Sequence, residues 1–297
     1  MRVTTLDLEF LDTTGAIAAF LVEGPSGAIL VESGPLSTRD TLEAKLKEAG
    51  LAPEDLAGVF VTHIHLDHAG AAGWLAERGA PVHVHPKGAR HLIDPTRLVE
   101  SSREVYGEDF ERLWAGMEAA PEDRVVVVED GETVTAGGIE VRALATPGHA
   151  FHHHAWIVGD AVFAGDAAGA AVDDSGFISV TSAPPQFHLD YTLESIDKLR
   201  EIAPETLYLT HFGAVGDPAD HLSSYREAVE MNALFVKQRM EEGMDAEALR
   251  IAYQAFQMEQ AFRFEAPRES WDALRKINGP EMCADGIRLY WGTVEKL

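Results

Sequence analysis

A single cysteine, Cys283, stands in a chain of 297 residues. No internal disulfide can form, and thiolates cannot build a metal site. Long apolar runs are missing as well. No stretch reaches about 18 residues, so no spanning helix is expected. Basic residues are scarce: 24 Lys and Arg face 49 Asp and Glu, a formal net charge of −25. Such a surface repels polyanions, whereas nucleic-acid binders usually carry a basic patch. The opening residues, Met1 to Asp7, hold no long apolar stretch and do not read as a signal peptide. These absences predict a cytoplasmic protein with a small-molecule substrate and no nucleic-acid or membrane partner. A homo-oligomer stays open.

What is present is an ordinary globular profile, with 46% apolar and 25% charged residues. The chain is long enough to bury a sizeable core. Thr4 to Phe10, Gly15 to Glu23 and Ala28 to Glu32 are apolar-rich strand candidates separated by Gly, Pro and Ser turns. Ser37 or Thr38 can cap a helix through Leu42 and Leu46 that stops at Gly50. Val59 to Thr62 reads as a short buried strand, then a helix from near Asp67, then a strand from Pro81 to His85. From Lys87 to Glu118 the pattern is helical, broken at Pro95. Val125 to Val128, Thr133 to Thr135, Ile139 to Leu144, His153 to Val158 and Val162 to Ala164 return to strands. Leu193 to Ile202 is helical, Leu207 to Thr210 a strand, and residues 220–260 a run of helix. Gly286 to Trp291 reads as an edge strand. The order fits one α/β domain of two sheets flanked by helices over residues 1–230, with a helical extension packed on it over 231–297.

Thirteen histidines are unevenly placed. The hexapeptide His63-Ile64-His65-Leu66-Asp67-His68 holds three imidazoles and a carboxylate directly after a predicted strand. Imidazole with carboxylate suits zinc, and also iron or manganese. In an extended loop His63 and His65 share a side, because side chains alternate with period two. Asp67 and His68 then lie at the turn into a helix and can face a second position. The spacing supplies ligands for two adjacent ions. Each ion needs about three or four protein ligands, so others must come from elsewhere. His149 follows Thr146-Pro147-Gly148, Asp166 follows Gly165 at a strand end, and His211 ends the strand through Leu209-Thr210. His152, His153 and His154 form a run in which 152 and 154 share one face and 153 takes the other. They read as polar packing, and His83, His85 and His91 as surface or supporting groups.

In this order and separation, His63, His65, Asp67, His68, His149, Asp166 and His211 resemble the signature of the metallo-β-lactamase superfamily. The resemblance covers about residues 1–230. Thr62-His63, His68-Ala69-Gly70 and Thr146-Pro147-Gly148-His149 look most like its glyoxalase II and lactonase branches. It implies a four-layer αββα sandwich. His63, His65 and His149 would hold one ion, Asp67, His68 and His211 the other, and Asp166 would bridge them. One departure is local: where the family often has Asp before Gly at the end of its third strand, this chain reads Glu32-Ser33-Gly34.

Two cations about 3.5 to 4 Å apart can bind a bridging water and lower its pKa towards 7. The expected cofactors are thus two Zn2+, alternatively Fe or Mn. Asp67 is placed to orient the nucleophile and carry its proton, as the catalytic residue. Hydrolysis of a small ester, lactone or thioester leads. Phosphodiester hydrolysis is the alternative, though the chain shows no basic arm. Iron-dependent redox chemistry of the persulfide dioxygenase kind is a third reading, opposed by an intact His68 and His211. A metal-stabilised binding protein is a fourth, and would need a lost ligand.

Overall fold

Strand pairing starts at once. Leu6 turns inward between exposed or half-buried neighbours, and β1 (Arg2–Asp7) pairs antiparallel with β2 (Ala18–Gly24), Val3 opposite Val22 and Thr5 opposite Phe20. The turn at Pro25 and Ser26 returns the chain as β3 (Gly27–Val31). In the computed structural model, which describes residues 1–294, two compact units separate. One comprises Met1–Ala145 with His152–Gly165, the other Thr146–Phe151 with Asp166–Leu297.

In the first unit the sheet continues in parallel through β4 (Leu56–Phe60), β5 (Val82–Val84) and β6 (Val125–Val127), giving the order β1-β2-β3-β4-β5-β6. Parallel neighbours need long crossovers. Here α1 (Arg39–Glu48) links β3 to β4, and α2 (Leu66–Ala69) with α3 (Ala72–Glu77) link β4 to β5. Between β5 and β6 run α4 (Pro86–Ile93), α5 (Thr96–Tyr106) and α6 (Phe110–Leu113). A second, antiparallel set runs β7 (Thr133–Ala136), β8 (Ile139–Ala145), β9 (His154–Val158) and β10 (Ala161–Phe163). The two sets of strands share a core in which Phe20 packs on Phe163, centroids 5.3 Å apart, and Phe60 meets Trp156 edge-on at 5.2 Å. His83 belongs to that core, stacked 4.1 Å from Phe60 and buried, not a surface or site group as its position suggested. Burial holds its pKa below the ordinary imidazole value.

The second unit holds α7 (Leu189–Ile202), a hairpin of β11 (Thr206–Leu209) and β12 (Gly213–Val215), and four further helices. Asp217 caps α8 (Pro218–Glu241), accepting from Asp220 N at 3.0 Å, and Asp245 caps α9 (Ala246–Arg263) through Ala248 N at 2.9 Å. Each satisfies an amide that a helix start leaves open. Helix α8 runs unbroken through residue 230, where the extension was expected to begin. After α10 (Arg268–Ile277) comes α11 (Pro280–Val294), which contains the segment Gly286 to Trp291. That segment is therefore helix, not an edge strand. Its β-branched and aromatic residues suggest a strand locally, but Cys283, Ala284, Ile287 and Tyr290 are the buried ones, a helical period. Among the described residues no helix is long and apolar enough to cross a membrane.

Gly286 shows how closely α11 packs. A Cβ there would lie 1.7 Å from the Ser182 carbonyl oxygen. Alanine within a helix normally gains about 1 kcal/mol over glycine. Forced overpacking costs about 1–3 kcal/mol. Gly286→Ala should therefore lower the urea midpoint, whereas Gly292→Ala, where a Cβ meets nothing within 4 Å, should raise it. Equal shifts in the two variants would contradict the packing assigned to α11.

Candidate metal centre

Strand β4 delivers its chain end, Val61 and Thr62, into the hexapeptide, and every residue from Val59 to Ile64 is buried. Glu32 follows β3 directly, in the left-handed region at φ 64°. Its carboxylate accepts from Thr62 N at 3.1 Å, from Thr62 Oγ1 at 2.6 Å and from His68 Nδ1 at 2.9 Å. Because the Thr62 hydroxyl proton goes to Glu32, Thr62 Oγ1 accepts from His63 Nδ1, 3.0 Å away. In both imidazoles the proton is thus drawn to Nδ1, which leaves Nε2 as the lone-pair nitrogen a metal requires. The next two residues complete the strap. Ser33 N and Gly34 N both donate to the His68 carbonyl, at 2.8 and 3.2 Å, as does Ser33 Oγ at 3.0 Å.

His63 and His65 do share a side: His63 Nε2 lies 3.0 Å from His65 Nδ1. His65 precedes α2, whose first turn carries Asp67, and Asp67 Oδ2 stands 3.5 Å from His68 Nε2. Two nitrogens and a carboxylate at such spacings are the donor chemistry of a divalent cation. The glycine before Asp166 is a steric necessity, since a Cβ on Gly165 would come within 2.6 Å of Thr62 Oγ1 and 2.8 Å of His153 Nε2.

The histidine run departs from its expected alternation. His153 is fully buried with its ring 4.9 Å from that of His63, while His152 lies 5.6 Å from His65. Strand β9 starts only at His154, so the period of two does not reach back to residues 152 and 153. His154 diverges instead. Its ring packs 4.5 Å from His85 and its Nε2 donates to Val128 O at 3.0 Å. Burial, and then the neighbouring His154, bring the His85 pKa down to about 4.

The second unit places His149, Asp166 and His211 together. Asp166 Oδ2 is 3.2 Å from His149 Nε2 and Oδ1 is 3.5 Å from His211 Nε2, all three side chains buried. His149 Nδ1 donates to the Thr181 carbonyl at 2.8 Å, which again leaves Nε2 as the lone-pair nitrogen that a metal would require. Thr181 Oγ1 donates to Asp166 O at 2.7 Å and lies 3.2 Å from Tyr225 Oη. Burial pushes the Tyr225 phenol well up. The turn before His149 is clamped to α7 by Ser195 Oγ on Pro147 O at 2.6 Å and His188 N on Gly148 O at 2.8 Å. Gly148 has φ 140°, and a Cβ there would meet Thr192 at 2.5 Å. Ala171 and the His211 to Phe212 segment exchange backbone hydrogen bonds, fixing the last histidine. All seven residues expected from sequence belong to His/Asp groups able to hold a metal ion. Thr62, Thr181 and Tyr225 carry no signal in the sequence beyond position.

Removing the Glu32 carboxylate should weaken metal binding. Groups that orient a ligand histidine typically contribute about 10–100-fold in affinity. Glu32→Gln should show a loss of that order in competition with a chelator, with circular dichroism unchanged. Unaltered affinity would mean that the carboxylate does not set the His68 tautomer.

Residues 12–211 match the family model described as the metallo-beta-lactamase superfamily. A metallo-beta-lactamase fold-containing protein of Sulfurisphaera tokodaii is 30% identical over 183 residues, 59% of this chain and 69% of its own length. A crystal structure of an archaeal superfamily member from Sulfolobus tokodaii superposes with a TM-score of 0.70 at 23% identity, covering 96% of this chain and 98% of that one. A hydroxyacylglutathione hydrolase of Rhodopseudomonas palustris is 32% identical over 151 residues, half of this chain and 46% of that protein. The family fold, an α/β sandwich with a C-terminal helical extension, agrees with the elements above. The chain belongs to the metallo-β-lactamase superfamily, and is one of its metal-dependent hydrolases.

Proposed function

We propose that His63, His65, Asp67, His68, His149, Asp166 and His211 act as one binuclear centre that hydrolyses a small carboxylic ester, lactone or thioester. The observation that carries this reading is the direction of the ring protons. Glu32 for His68, Thr62 Oγ1 for His63 and the Thr181 carbonyl for His149 accept from Nδ1 and so hold the ring protons there, which leaves three Nε2 atoms to be offered as donors. The complete seven-residue set supports two ions, since one tetrahedral site uses about four ligands. Zinc is the metal proposed. When bound, such a pair acidifies a water and polarises the scissile carbonyl.

The chain's own residues supply the rest. Asp67 is the ligand carboxylate with solvent access, its side chain 15% exposed, and it can hold a proton and pass it to the leaving group. Buried Asp166, flanked by two histidines, keeps to a structural and charge-balancing part. A carbonyl substrate is favoured over a phosphate polymer on electrostatic grounds. A chain of net charge −25 gains little by approaching a phosphate backbone, which typically calls for about six to ten cationic contacts. The cations after the motif, Lys87, Arg90, Arg97 and Arg103, are dispersed, and Arg103 is already paired with Glu111. Thioester hydrolysis by the Rhodopseudomonas relative, as its name implies, lends support.

Protein purified under zinc-replete conditions should contain about two metal ions per chain by elemental analysis. A steady value near one would end the binuclear proposal, and iron in place of zinc would redirect the chemistry. Asp67→Asn should lower kcat on a chromogenic lactone or thioester by about 10²–10⁴-fold, the usual share of a general acid–base group. A near wild-type rate would deny Asp67 that part. Salt-sensitive cleavage of a short RNA, with neither carbonyl substrate turned over, would overturn the substrate class.

A further inference from the structure

From Gly165 to Ala171 the chain reads Gly-Asp-Ala-Ala-Gly-Ala-Ala, so no side chain but that of Asp166 reaches beyond a methyl group. Gly165 and Gly169 both take positive φ, 51° and 79°. Such a loop has little of its own to pack, and glycine loses more backbone freedom on folding than any other residue. Its shape must be held from outside. Ala170 exchanges two backbone hydrogen bonds with Ser179, at 3.0 and 2.8 Å, which sets the loop beside the stretch that carries Thr181. The rest of the hold comes from α8.

His221 and Tyr225 stand four residues apart on α8 and so share one face of it. His221 is buried, and its Nε2 donates to Ala168 O at 2.9 Å. Burial also lowers its pKa, which keeps the ring neutral with its proton on that nitrogen. Tyr225 is fully buried, and a Cβ on Gly169 would come within 2.5 Å of its ring. Because the Thr181 hydroxyl proton goes to Asp166 O, the Tyr225 phenol is the donor in its 3.2 Å contact with Thr181 Oγ1. One helix face therefore meets the Asp166 loop at Ala168 and Gly169. Through Thr181 it also reaches the backbone of Asp166 and the ring of His149. We infer that His221 and Tyr225 are positioning residues of the candidate metal centre, fixing the reach of Asp166 and the aim of His149 through Ala168 and Thr181. This rests on the ligand roles proposed above for His149 and Asp166, and adds to them the two side chains of α8 that hold both in place.

The test uses the full chain, with zinc titrated in competition with a chelator. Tyr225→Phe removes one oxygen and keeps the ring on Gly169. It should weaken zinc binding by about tenfold, the lower end of what partners of a ligand histidine contribute. His221→Leu should lose as much, and His221→Gln, whose side-chain amide can still donate to Ala168 O, should recover most of it. Ser223→Ala, which removes a hydroxyl that donates within α8 to Ala219 O at 2.9 Å, should leave the affinity as it is. Folded Tyr225→Phe and His221→Leu proteins that bind zinc like the wild type would overturn the inference, whatever their urea midpoints. Should His221→Leu not fold, Tyr225→Phe alone decides. If the wild type binds no zinc, the hydrolase reading fails, and the metal-free protein decides the positioning by NMR. There the His149 Nδ1 proton, held by Thr181 O and assigned by its loss in His149→Gln, should exchange with solvent about three- to tenfold faster in Tyr225→Phe, the share of one hydrogen bond. An unchanged exchange rate would overturn the positioning role.

Discussion

Buried carboxylates are expensive unless hydrogen bonds compensate for lost water, and Glu32 is fully buried. It is held by a backbone amide and a hydroxyl of Thr62 and by the ring of His68. The same contacts that make its burial tolerable join the end of β3 to the loop after β4 and orient the rings of His63 and His68. Removing any one donor would strand charge in the core. The geometry of the hexapeptide therefore depends on a side chain thirty positions earlier. Glu32 makes its contact to His68 from a left-handed backbone conformation.

A comparable solution serves His149 and Asp166. The Thr181 carbonyl and hydroxyl hold His149 and Asp166 respectively, and Tyr225 lies behind that hydroxyl. Ser182, the next residue, donates to Cys283 O on α11, and its own carbonyl is the atom against which Gly286 packs. The C-terminal helices thus meet the segment that positions His149 and Asp166. Among the described residues they belong to the same compact unit as that segment.

The candidate ligands and most elements were legible from residue order alone. Strand alternation, the Gly and Pro turns, and the density of imidazole and carboxylate in six positions are local properties, and local periodicity decides them. His63, His65, Asp67 and His68 adjoin in sequence, so their closeness needs little folding. Asp166 and His211 were legible because a polar residue directly after a buried strand has few other places to go.

What the sequence could not settle are matters of direction and contact. The period of two assumed for His152 to His154 fails because β9 begins only at the last residue of the run, and His153 turns to His63. The strand-like composition of Gly286 to Trp291 yields to a helix because only that periodicity buries Ile287 and Tyr290 together. His83 looked like a group near the site, yet stacking on Phe60 made it core. Which nitrogen of each histidine carries the proton lies wholly outside composition and spacing. The sequence by itself determined the kind of candidate ligands and their order; the tertiary structure decided the tautomers and orientation of the histidines, because those depend on Glu32, Thr62 and Thr181, partners that become neighbours only when the chain has folded.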